Sequence, residues 1–241
     1  PAKADMNLDA FLTRLDRSDR RQIYHVKELP ERPAAFADVE IEPRVKAALE
    51  ARGIQQLYTH QAEALRHARN GRSVVVVTGT ASGKTLCYNI PILETLQRDP
   101  MATALAIYPT KALAQDQFRG LSELAGGIEG LKLIAGPYDG DTPAPQRRKL
   151  RDKGSVILTN PDMLHQGILP NHARWARFFT HLCFVVLDEV HAYRGVFGSH
   201  VANVIRRMRR ICRHFGSNPQ FICSSATIAN PKEHAERIIG A

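Results

Sequence analysis

The chain has 241 residues, and its 33 lysines and arginines against 24 aspartates and glutamates give a formal charge of +9. Its 44% hydrophobic and 24% charged residues are typical of a globular protein and exclude a disordered chain, and no apolar run is long enough to span a membrane. Because its start has no secretory signal, we expect a cytoplasmic protein, nucleoid-associated if bacterial, and the basic charge favours nucleic acid as a partner.

Residues 1–50 are predicted to form an N-terminal helical arm packed on the main domain rather than an independent domain. Four apolar residues of the arm have helical spacing: Leu8, Phe11, Leu12 and Leu15. Prolines at positions 30, 33 and 43 interrupt the segment that follows. Residues 51–241 are predicted to form the main domain.

Short β-branched runs alternate with longer amphipathic stretches throughout the main domain. The runs lack the alternation of half-exposed strands, which indicates strands covered on both faces. The predicted strands are 74–77, 104–107, 131–134, 156–158, 183–187 and 221–223, and the predicted helices are about 84–98, 110–125, 143–152, 161–168, 199–215 and 231–239. This order predicts an α/β fold, a mostly parallel sheet with helices on both faces, and a ligand at the carboxyl ends of the strands.

A loop of small residues, 78–85, joins the first predicted strand of this sheet to a helix. Backbone N–H groups of such a loop, together with a helix N-terminus, can surround phosphate oxygens. Lys84 is predicted to reach the β- and γ-phosphates of ATP, and the Thr85 hydroxyl to bind Mg²⁺. The predicted ATP-binding residues of the loop are Thr80, Ala81, Ser82, Gly83, Lys84 and Thr85. Thr78 stands where the usual pattern begins with glycine, so an ordinary glycine-rich turn is the alternative.

Two carboxylates, Asp188 and Glu189, directly follow the predicted strand 183–187. Adjacent acids at a strand end are electrostatically costly unless a cation compensates them, and Mg²⁺ bound to ATP is such a cation. We expect Asp188 to hold Mg²⁺, and Glu189 to orient and deprotonate the attacking water. Lys84, Asp188 and Glu189 are therefore the candidate catalytic residues. A strand end that only begins a surface loop is the alternative.

These elements, with further motifs in order along the chain, resemble the first RecA-like motor domain of a superfamily 2 helicase of the DEAD/DEAH type. The motifs are Tyr58-Thr59-His60-Gln61, the segment Tyr108-Pro109-Thr110-Lys111 that continues to Gln117, Thr159-Asn160-Pro161, Asp188-Glu189-Val190-His191 and Ser225-Ala226-Thr227. Residues 79–85, 108–117, 138–142 and 193–200 more narrowly resemble the mitomycin-repair helicases and the fungal and archaeal RecQ-like helicases with a cysteine-rich C-terminal domain.

The resemblance implies a role for each motif. Gln61 would read the adenine edge. Ser225 and Thr227 would link ATP turnover to strand separation, and His191 would couple the Mg²⁺ site to Ser225 or to the second motor domain. The residues that would contact the nucleic-acid backbone are Pro109, Thr110, Lys111, Thr159, Asn160 and Pro161.

The resemblance further implies an ATP-dependent DNA helicase that moves 3′ to 5′ on single-stranded DNA in repair. An RNA helicase and a non-hydrolytic nucleic-acid-binding scaffold are the alternatives, and the series of motifs disfavours a small-molecule kinase. No motif of a second motor domain appears before Ala241, so we expect that domain elsewhere in a larger protein. Without the arginines of the second domain, ATP turnover should fall by about 10³–10⁵-fold, and these 241 residues alone should not unwind DNA.

Two basic segments, 146–153 and 205–215, concentrate the positive charge. In the second, helical spacing groups Ile205, Met208, Cys212 and Phe215 on one side and Arg206, Arg209, Arg210 and Arg213 on the other. A solvated face and a DNA-contacting face are both open interpretations of the arginines. No aromatic platform for bases is evident near these segments, which favours contact with the backbone over stacking. The histidines at 60, 165, 181 and 200 are interpreted as structural, and the dispersed cysteines as buried apolar residues rather than metal ligands.

Overall fold

A computed structural model of the chain describes residues 33–79 and 82–240. The strands are β1 (Phe36–Ala37), β2 (Leu57–Tyr58), β3 (Val74–Val77), β4 (Thr103–Ile107), β5 (Ala135–Pro137), β6 (Val156–Thr159), β7 (Leu182–Leu187) and β8 (Gln220–Ser225). The helices are α1 (Pro43–Ala51), α2 (Thr59–Arg69), α3 (Leu86–Arg98), α4 (Lys111–Gly126), α5 (Ala144–Lys153), α6 (Pro161–Met163), α7 (Ala176–Thr180), α8 (Gly195–His214) and α9 (Pro231–Ile239). A π-helical turn (Leu164–Ile168) and a 3₁₀ segment (Leu169–Trp175) lie between α6 and α7.

Six parallel strands form the central sheet in the order β3-β8-β7-β4-β6-β5, and β1 and β2 form a separate antiparallel pair. Alternate residues of a strand point to opposite faces. Leu105 and Val185 accordingly lie in one buried cluster with residues of α8 and α9, while Ala106 and Val186 lie in another with residues of α1, α2, α3 and α4. The predicted α/β class, with helices on both faces of a parallel sheet, is confirmed.

One strand differs from its predicted position. Residues 131–134 were expected to be a strand, but the strand is Ala135–Pro137, which contains a glycine and a proline. The Ile134 carbonyl accepts from the Ser155 N–H at 2.7 Å, and ladder pairing with β6 begins only at Ala135. β5 is the last strand of the sheet, and proline, which has no N–H, is tolerated at an edge. The glycine and proline of β5, which are typical of turns, therefore conceal this strand from sequence-based prediction.

Two predicted helices also have different limits. The stretch 161–168 is not one α-helix, because α6 passes directly into the π-helical turn and then into the 3₁₀ segment. Pro170 lies in that segment, and a residue without an N–H cannot continue an α-helical hydrogen-bond ladder. The helix expected from residue 199 begins at Gly195, since two glycines in its first turn weaken the sequence signal there.

The predicted arm is only partly described, because residues 1–32 lie outside the described residues. The compact unit that holds the sheet begins at Ala35 rather than at residue 51. The reason is α1, which buries Val45, Ala48 and Leu49 against α3 and α4 in one of the two clusters. None of the described helices has the length and apolarity that crossing a membrane requires.

A buried carboxylate connects the helices on this face. Glu94 of α3 is fully buried and accepts from the Arg69 guanidinium of α2 at 2.7 Å and from the Glu42 N–H, just before α1, at 2.9 Å. A buried charge is stable only when such partners compensate its lost hydration.

We predict that Glu94→Gln lowers the free energy of unfolding by about 2–3 kcal/mol, because a neutral amide loses the charge-assisted bonds and leaves Arg69 without its partner. The matched control is Glu123→Gln, which breaks the exposed pair with Arg52 and should cost less than about 1 kcal/mol. Urea unfolding of both variants measures the difference. Equal losses would show that Glu94 has no special role in stability.

Candidate nucleotide and nucleic-acid site

The sheet order brings the predicted ATP-binding elements to one edge. β3 and β7 both flank β8, and all three strands are parallel, so their carboxyl ends meet. The predicted phosphate-binding loop, residues 78–85 (the phosphate loop), follows β3, the Asp188-Glu189 pair follows β7, and Ser225 ends β8. The Thr78 N–H donates to the Ser225 carbonyl at 3.4 Å. The two halves of the predicted site therefore share one edge of the sheet.

The described residues of the phosphate loop are held by their own polar groups. Lys84 Nζ donates to the carbonyls of Thr78 and Gly79, both at 3.1 Å, and the Ser82 hydroxyl donates to the Gly79 carbonyl at 2.9 Å. The Thr78 hydroxyl, in the position where glycine is usual, contacts the Ser82 hydroxyl. The lysine ammonium thus lies across the loop on neutral carbonyls. Thr80 and Ala81, two of the predicted ATP-binding residues, lie outside the described residues.

Gln61 fastens the loop to the start of α2. Its side chain accepts from the Tyr58 N–H and donates to the Gly83 carbonyl, both at 2.9 Å, and it is only 2% exposed. Gly83 has φ +73°, and a Cβ atom there would lie 2.6 Å from Gln61 Nε2, so both the backbone and the close approach require glycine. Gln61 is a support of the loop in this structure, and its contact with adenine stays a prediction.

An exposed aromatic stack lies beside Gln61, which sequence reasoning missed. The Phe36 and Tyr58 rings are stacked with centroids 5.0 Å apart, and the His60 ring stacks on Tyr58 at 5.7 Å. His60 Nε2 also lies 3.0 Å from the Ser82 carbonyl, which agrees with its structural interpretation. The sequence separation of Phe36 from the loop hid this arrangement, because only the β1–β2 pair brings the two together.

Two side chains that the sequence analysis did not single out, Gln117 and Tyr88, lie between the two candidate magnesium ligands. Thr85 Oγ1 donates to Gln117 Oε1 at 3.0 Å. The Tyr88 hydroxyl lies 3.3 Å from the same Gln117 oxygen and 3.4 Å from Asp188 Oδ2. Because Thr85 gives its proton to Gln117, the lone pairs of its oxygen stay available to a cation. Gln117 was visible only as the end of the 108–117 motif.

Asp188 is buried, and its carboxylate accepts several hydrogen bonds. Its Oδ1 accepts from the Glu189 N–H at 3.0 Å and from the Ser224 hydroxyl. Burial and the negative charge of Asp188 raise the pKa values of the Tyr108 and Tyr193 hydroxyls well above their usual value. Both phenols therefore stay protonated around the carboxylate.

Glu189 has the only left-handed backbone among the non-glycine residues described, with φ +52°. Such a conformation costs of order 1–3 kcal/mol and persists only where the surroundings enforce it. The His191 ring lies alongside, with Nδ1 3.1 Å from Glu189 Oε2 and accepting from the Ala226 N–H at 3.1 Å. One ring nitrogen cannot accept and donate together, so we assign Nδ1 as unprotonated and bonded to Ala226.

His191 consequently contacts the Ser225–Thr227 motif through the Ala226 backbone rather than through the Ser225 side chain. Ser225 is buried and its hydroxyl donates to the Ala226 carbonyl at 2.8 Å. Thr227 is exposed at the same edge. The structure thus brings His191 and this motif together, while their coupling role stays a prediction.

The motifs predicted to contact nucleic acid follow two paired strands. Pro109, Thr110 and Lys111 come after β4, and Asn160 and Pro161 after β6. The Thr110 and Asn160 side chains cap α4 and α6, accepting from backbone N–H groups at 3.3 and 2.8 Å.

Thr159 requires a correction. Its side chain is 1% exposed and donates to the Tyr138 carbonyl at 2.7 Å, so in this structure it supports the neighbouring loop instead of facing a nucleic acid.

Lys111 already has an anionic partner. Its Nζ donates to Asp141 Oδ2 at 2.7 Å, and both side chains are exposed. Asp141 belongs to a turn in which Asp139 Oδ1 accepts from the Asp141 and Thr142 N–H groups. A phosphate that binds Lys111 must therefore compete with a carboxylate.

Some arginines on the basic face of α8 make hydrogen bonds within the fold. Arg209 donates to the Ile239 carbonyl at 2.9 Å and to the Gly240 carbonyl, and Arg206 donates to the Arg237 carbonyl at 3.3 Å. These are the free carbonyls at the end of α9, which attract cations. Two of the four arginines expected on the open side of the helix thus cap another helix.

Comparison with known proteins places this geometry in context. The family model described as DEAD/DEAH box helicase matches residues 58–234. The ATP-dependent helicase YprA of Bacillus subtilis is 55% identical over 200 residues, which cover 83% of this chain and 27% of YprA. The ATP-dependent helicase hrq1 of Schizosaccharomyces pombe is 48% identical over 198 residues, covering 81% of this chain and 19% of hrq1.

A solved structure shows the same fold. The crystal structure of the DUF1998 helicase MrfA bound to DNA and AMPPNP superposes with a TM-score of 0.91 at 49% identity, covering 97% of this chain and 33% of that one. The chain thus spans between a fifth and a third of the proteins that it resembles.

We predict that Gln117→Ala raises the Mg²⁺ concentration needed for half-maximal nucleotide binding by about 10–100-fold, because the Thr85 hydroxyl loses the acceptor that orients it. Titration of a fluorescent ATP analogue at a series of Mg²⁺ concentrations measures the effect. Gln115→Ala is the matched control, since Gln115 lies exposed on the same helix. A Gln117→Ala variant with the Mg²⁺ requirement of this control would remove Gln117 from the site.

Proposed function

The chain belongs to the DEAD/DEAH box helicase family, and from this membership we propose that it is the ATP-binding first motor domain of an ATP-dependent DNA helicase. The observation that carries the proposal is the meeting of Lys84, Thr85, Asp188 and Glu189 at one edge of the sheet, with Thr85 and Asp188 joined through Gln117 and Tyr88. An ammonium, a hydroxyl and two carboxylates in this order are what hydrolysis of a magnesium-bound triphosphate requires.

The residues present fit Mg²⁺, which prefers oxygen ligands and binds through few protein groups. Thr85 offers a hydroxyl oxygen with free lone pairs, and Asp188 offers Oδ2, whose hydrogen-bond neighbour in the described part of the chain is the Tyr88 hydroxyl at 3.4 Å. When bound, Mg²⁺ would neutralise charge on the phosphate oxygens.

The chain's own groups then have separate tasks. Lys84 exchanges the carbonyls of Thr78 and Gly79 for phosphate oxygens, a change that keeps its hydrogen bonds. Glu189 accepts the proton of the attacking water. His191 lies between the Glu189 carboxylate and the Ser225–Thr227 motif, and it accepts from the Ala226 N–H of that motif.

The adenine base has a place to stack beside the phosphate loop. The exposed rings of Phe36 and Tyr58 are stacked next to Gln61, and stacking on an aromatic face needs no specific hydrogen bonds. We assign the base to this face and the triphosphate to the loop.

Single-stranded DNA is the proposed track. The exposed Lys111 and the capped turn at Asn160 lie at the ends of adjacent strands, and the formal charge of +9 favours a polyanion. The MrfA helicase was crystallised bound to DNA, which favours DNA over RNA as the substrate here. Movement from 3′ to 5′ and a role in DNA repair, in the cytoplasm or at the nucleoid of a bacterium, belong to this proposal.

A second motor domain of the same protein is the proposed partner. The matched helicases are three to five times as long as the segment they share with this chain. The described site supplies an ammonium on one side of the triphosphate, and arginines from a facing domain would complete the stabilisation of the transition state. A non-hydrolytic scaffold is the weaker alternative, because it would not need Lys84, Thr85, Asp188 and Glu189 together.

We predict that Glu189→Gln lowers DNA-stimulated ATP turnover by about 10²–10⁴-fold while nucleotide binding persists, because an amide cannot accept the proton of water. The assay compares the full-length protein and this variant with matched DNA and RNA single strands. Glu123→Gln, which changes an exposed glutamate far along α4, is the control.

Each arm of this assay has a contrary outcome. Equal turnover of the variant and the unchanged protein would remove Glu189 from catalysis. Stimulation by RNA but not by DNA would replace the proposed substrate, and hydrolysis in neither arm would favour the scaffold.

A further inference from the structure

A groove of about 400 Å³ lies between the segment that follows β6 and the first four turns of α8. We call it the α8 groove. Its walls include Pro161, His165, Phe197, His200, Arg207 and Arg210. None of these residues belongs to the nucleotide site, and only Pro161 was assigned a nucleic-acid contact by the sequence analysis.

An aromatic ring stands at one end of the α8 groove. The Phe197 side chain is 42% exposed, although it lies on a helix whose other face packs into the core. Its ring contacts the buried Tyr193 ring, with centroids 5.8 Å apart. Gly198 packs against the Tyr193 carbonyl so closely that a Cβ atom would clash. Phe197 is therefore an accessible aromatic face that packs on Tyr193, which corrects the expectation that no such platform lies near the basic segment.

Arginine and histidine side chains line the rest of the α8 groove. Arg207 and Arg210 face it from α8, and the exposed His165 and His200 stand on its two sides, with Asp162 as the one acidic wall residue. Within the described residues, the hydrogen-bond partner of Arg207 is His165, at 3.4 Å to Nδ1 and 3.5 Å to the carbonyl. The ion pairs found in the described part of the chain include neither arginine. Both guanidinium groups are thus open to an anion.

The α8 groove continues the surface on which the proposed function places nucleic acid. Pro161, which lines it, directly follows Asn160 at the end of β6. A strand held at Asn160 would therefore lie next to the groove. An aromatic ring with guanidinium groups beside it is the combination that binds single strands by stacking and by phosphate contact.

We propose that the α8 groove binds single-stranded DNA, with one base stacked on Phe197 and backbone phosphates at Arg207 and Arg210. This inference rests on the proposed function and adds to it a contact outside the backbone-contacting motifs. The groove would bind single strands of any base sequence, because every base has a face that can stack and every nucleotide has a phosphate.

The test is the affinity of the full-length protein for a fluorescein-labelled oligo-dT strand, measured by fluorescence anisotropy at several salt concentrations. Phe197→Ala should weaken binding by about 5- to 100-fold, and Phe197→Trp should restore most of it. Arg207→Gln should weaken binding and lower the salt slope by about 0.7, the value for one lost phosphate contact on a single strand. Val196→Ala and Arg213→Gln, which change exposed residues of α8 that do not line the groove, should bind like the unchanged protein.

The outcomes separate this inference from the proposed function. If Phe197→Ala and Arg207→Gln bind as the controls do while Lys111→Gln binds weakly, the α8 groove carries no DNA and the helicase proposal stands. If Phe197→Ala lowers the melting temperature of the full-length protein without changing DNA affinity, the Phe197 ring serves packing alone and the inference is overturned. If the unchanged protein binds no single strand, the proposed function itself fails.

Discussion

The site depends on keeping unlike charges apart at one edge of the sheet. Lys84 is held by the carbonyls of Thr78 and Gly79, and Asp188 by the Ser224 hydroxyl and the Glu189 N–H; neither side neutralises the other. Had the ammonium paired with the carboxylates, a triphosphate and its cation would first have to break that pair. β8 lies between β3 and β7 and so sets this separation. The parallel order of three strands is thus the constraint from which the chemistry follows.

Sequence patterns predicted the parts of this arrangement that depend on local chemistry. Four consecutive valines before a loop of small residues, and a continuous apolar run before two acids, are signals that strand burial and phosphate binding impose directly. The position of β5 was predicted wrongly because an edge strand tolerates glycine and proline, which weaken the sequence signal of a strand. Gln117 escaped for a different reason: its partners Thr85 and Tyr88 lie at the start of α3, and only packing of α4 against α3 brings them within 3.3 Å. Tertiary contacts of this kind have no periodic signature.

Helix α4 connects the two halves of the proposed function physically. Its first residue is Lys111, which meets Asp141 and would meet a phosphate, and Gln117 lies six residues further, a distance of about 9 Å along a rigid helix. A shift of the helix start on binding DNA would move the oxygen that orients the Thr85 hydroxyl. If DNA thereby changes the affinity for nucleotide and Mg²⁺ by some factor, linkage requires that nucleotide and Mg²⁺ change the affinity for DNA by the same factor. The motif 108–117 contains both Lys111 and Gln117, but only the structure shows the hydrogen bond from Thr85 to Gln117.

Helix α8 makes a second such connection, on the opposite side of the acidic pair. It begins six residues after Glu189, and the Tyr193 ring, buried beside Asp188, packs against Phe197. The close approach of Gly198 to the Tyr193 carbonyl leaves little room for the two to move independently. A displacement of the Glu189 backbone that moved Tyr193 would therefore also move Phe197, the aromatic face of the α8 groove. On the proposed function, a base stacked on Phe197 and the catalytic Glu189 would lie at the two ends of one short segment, residues 189–197, which gives the two sites a physical connection.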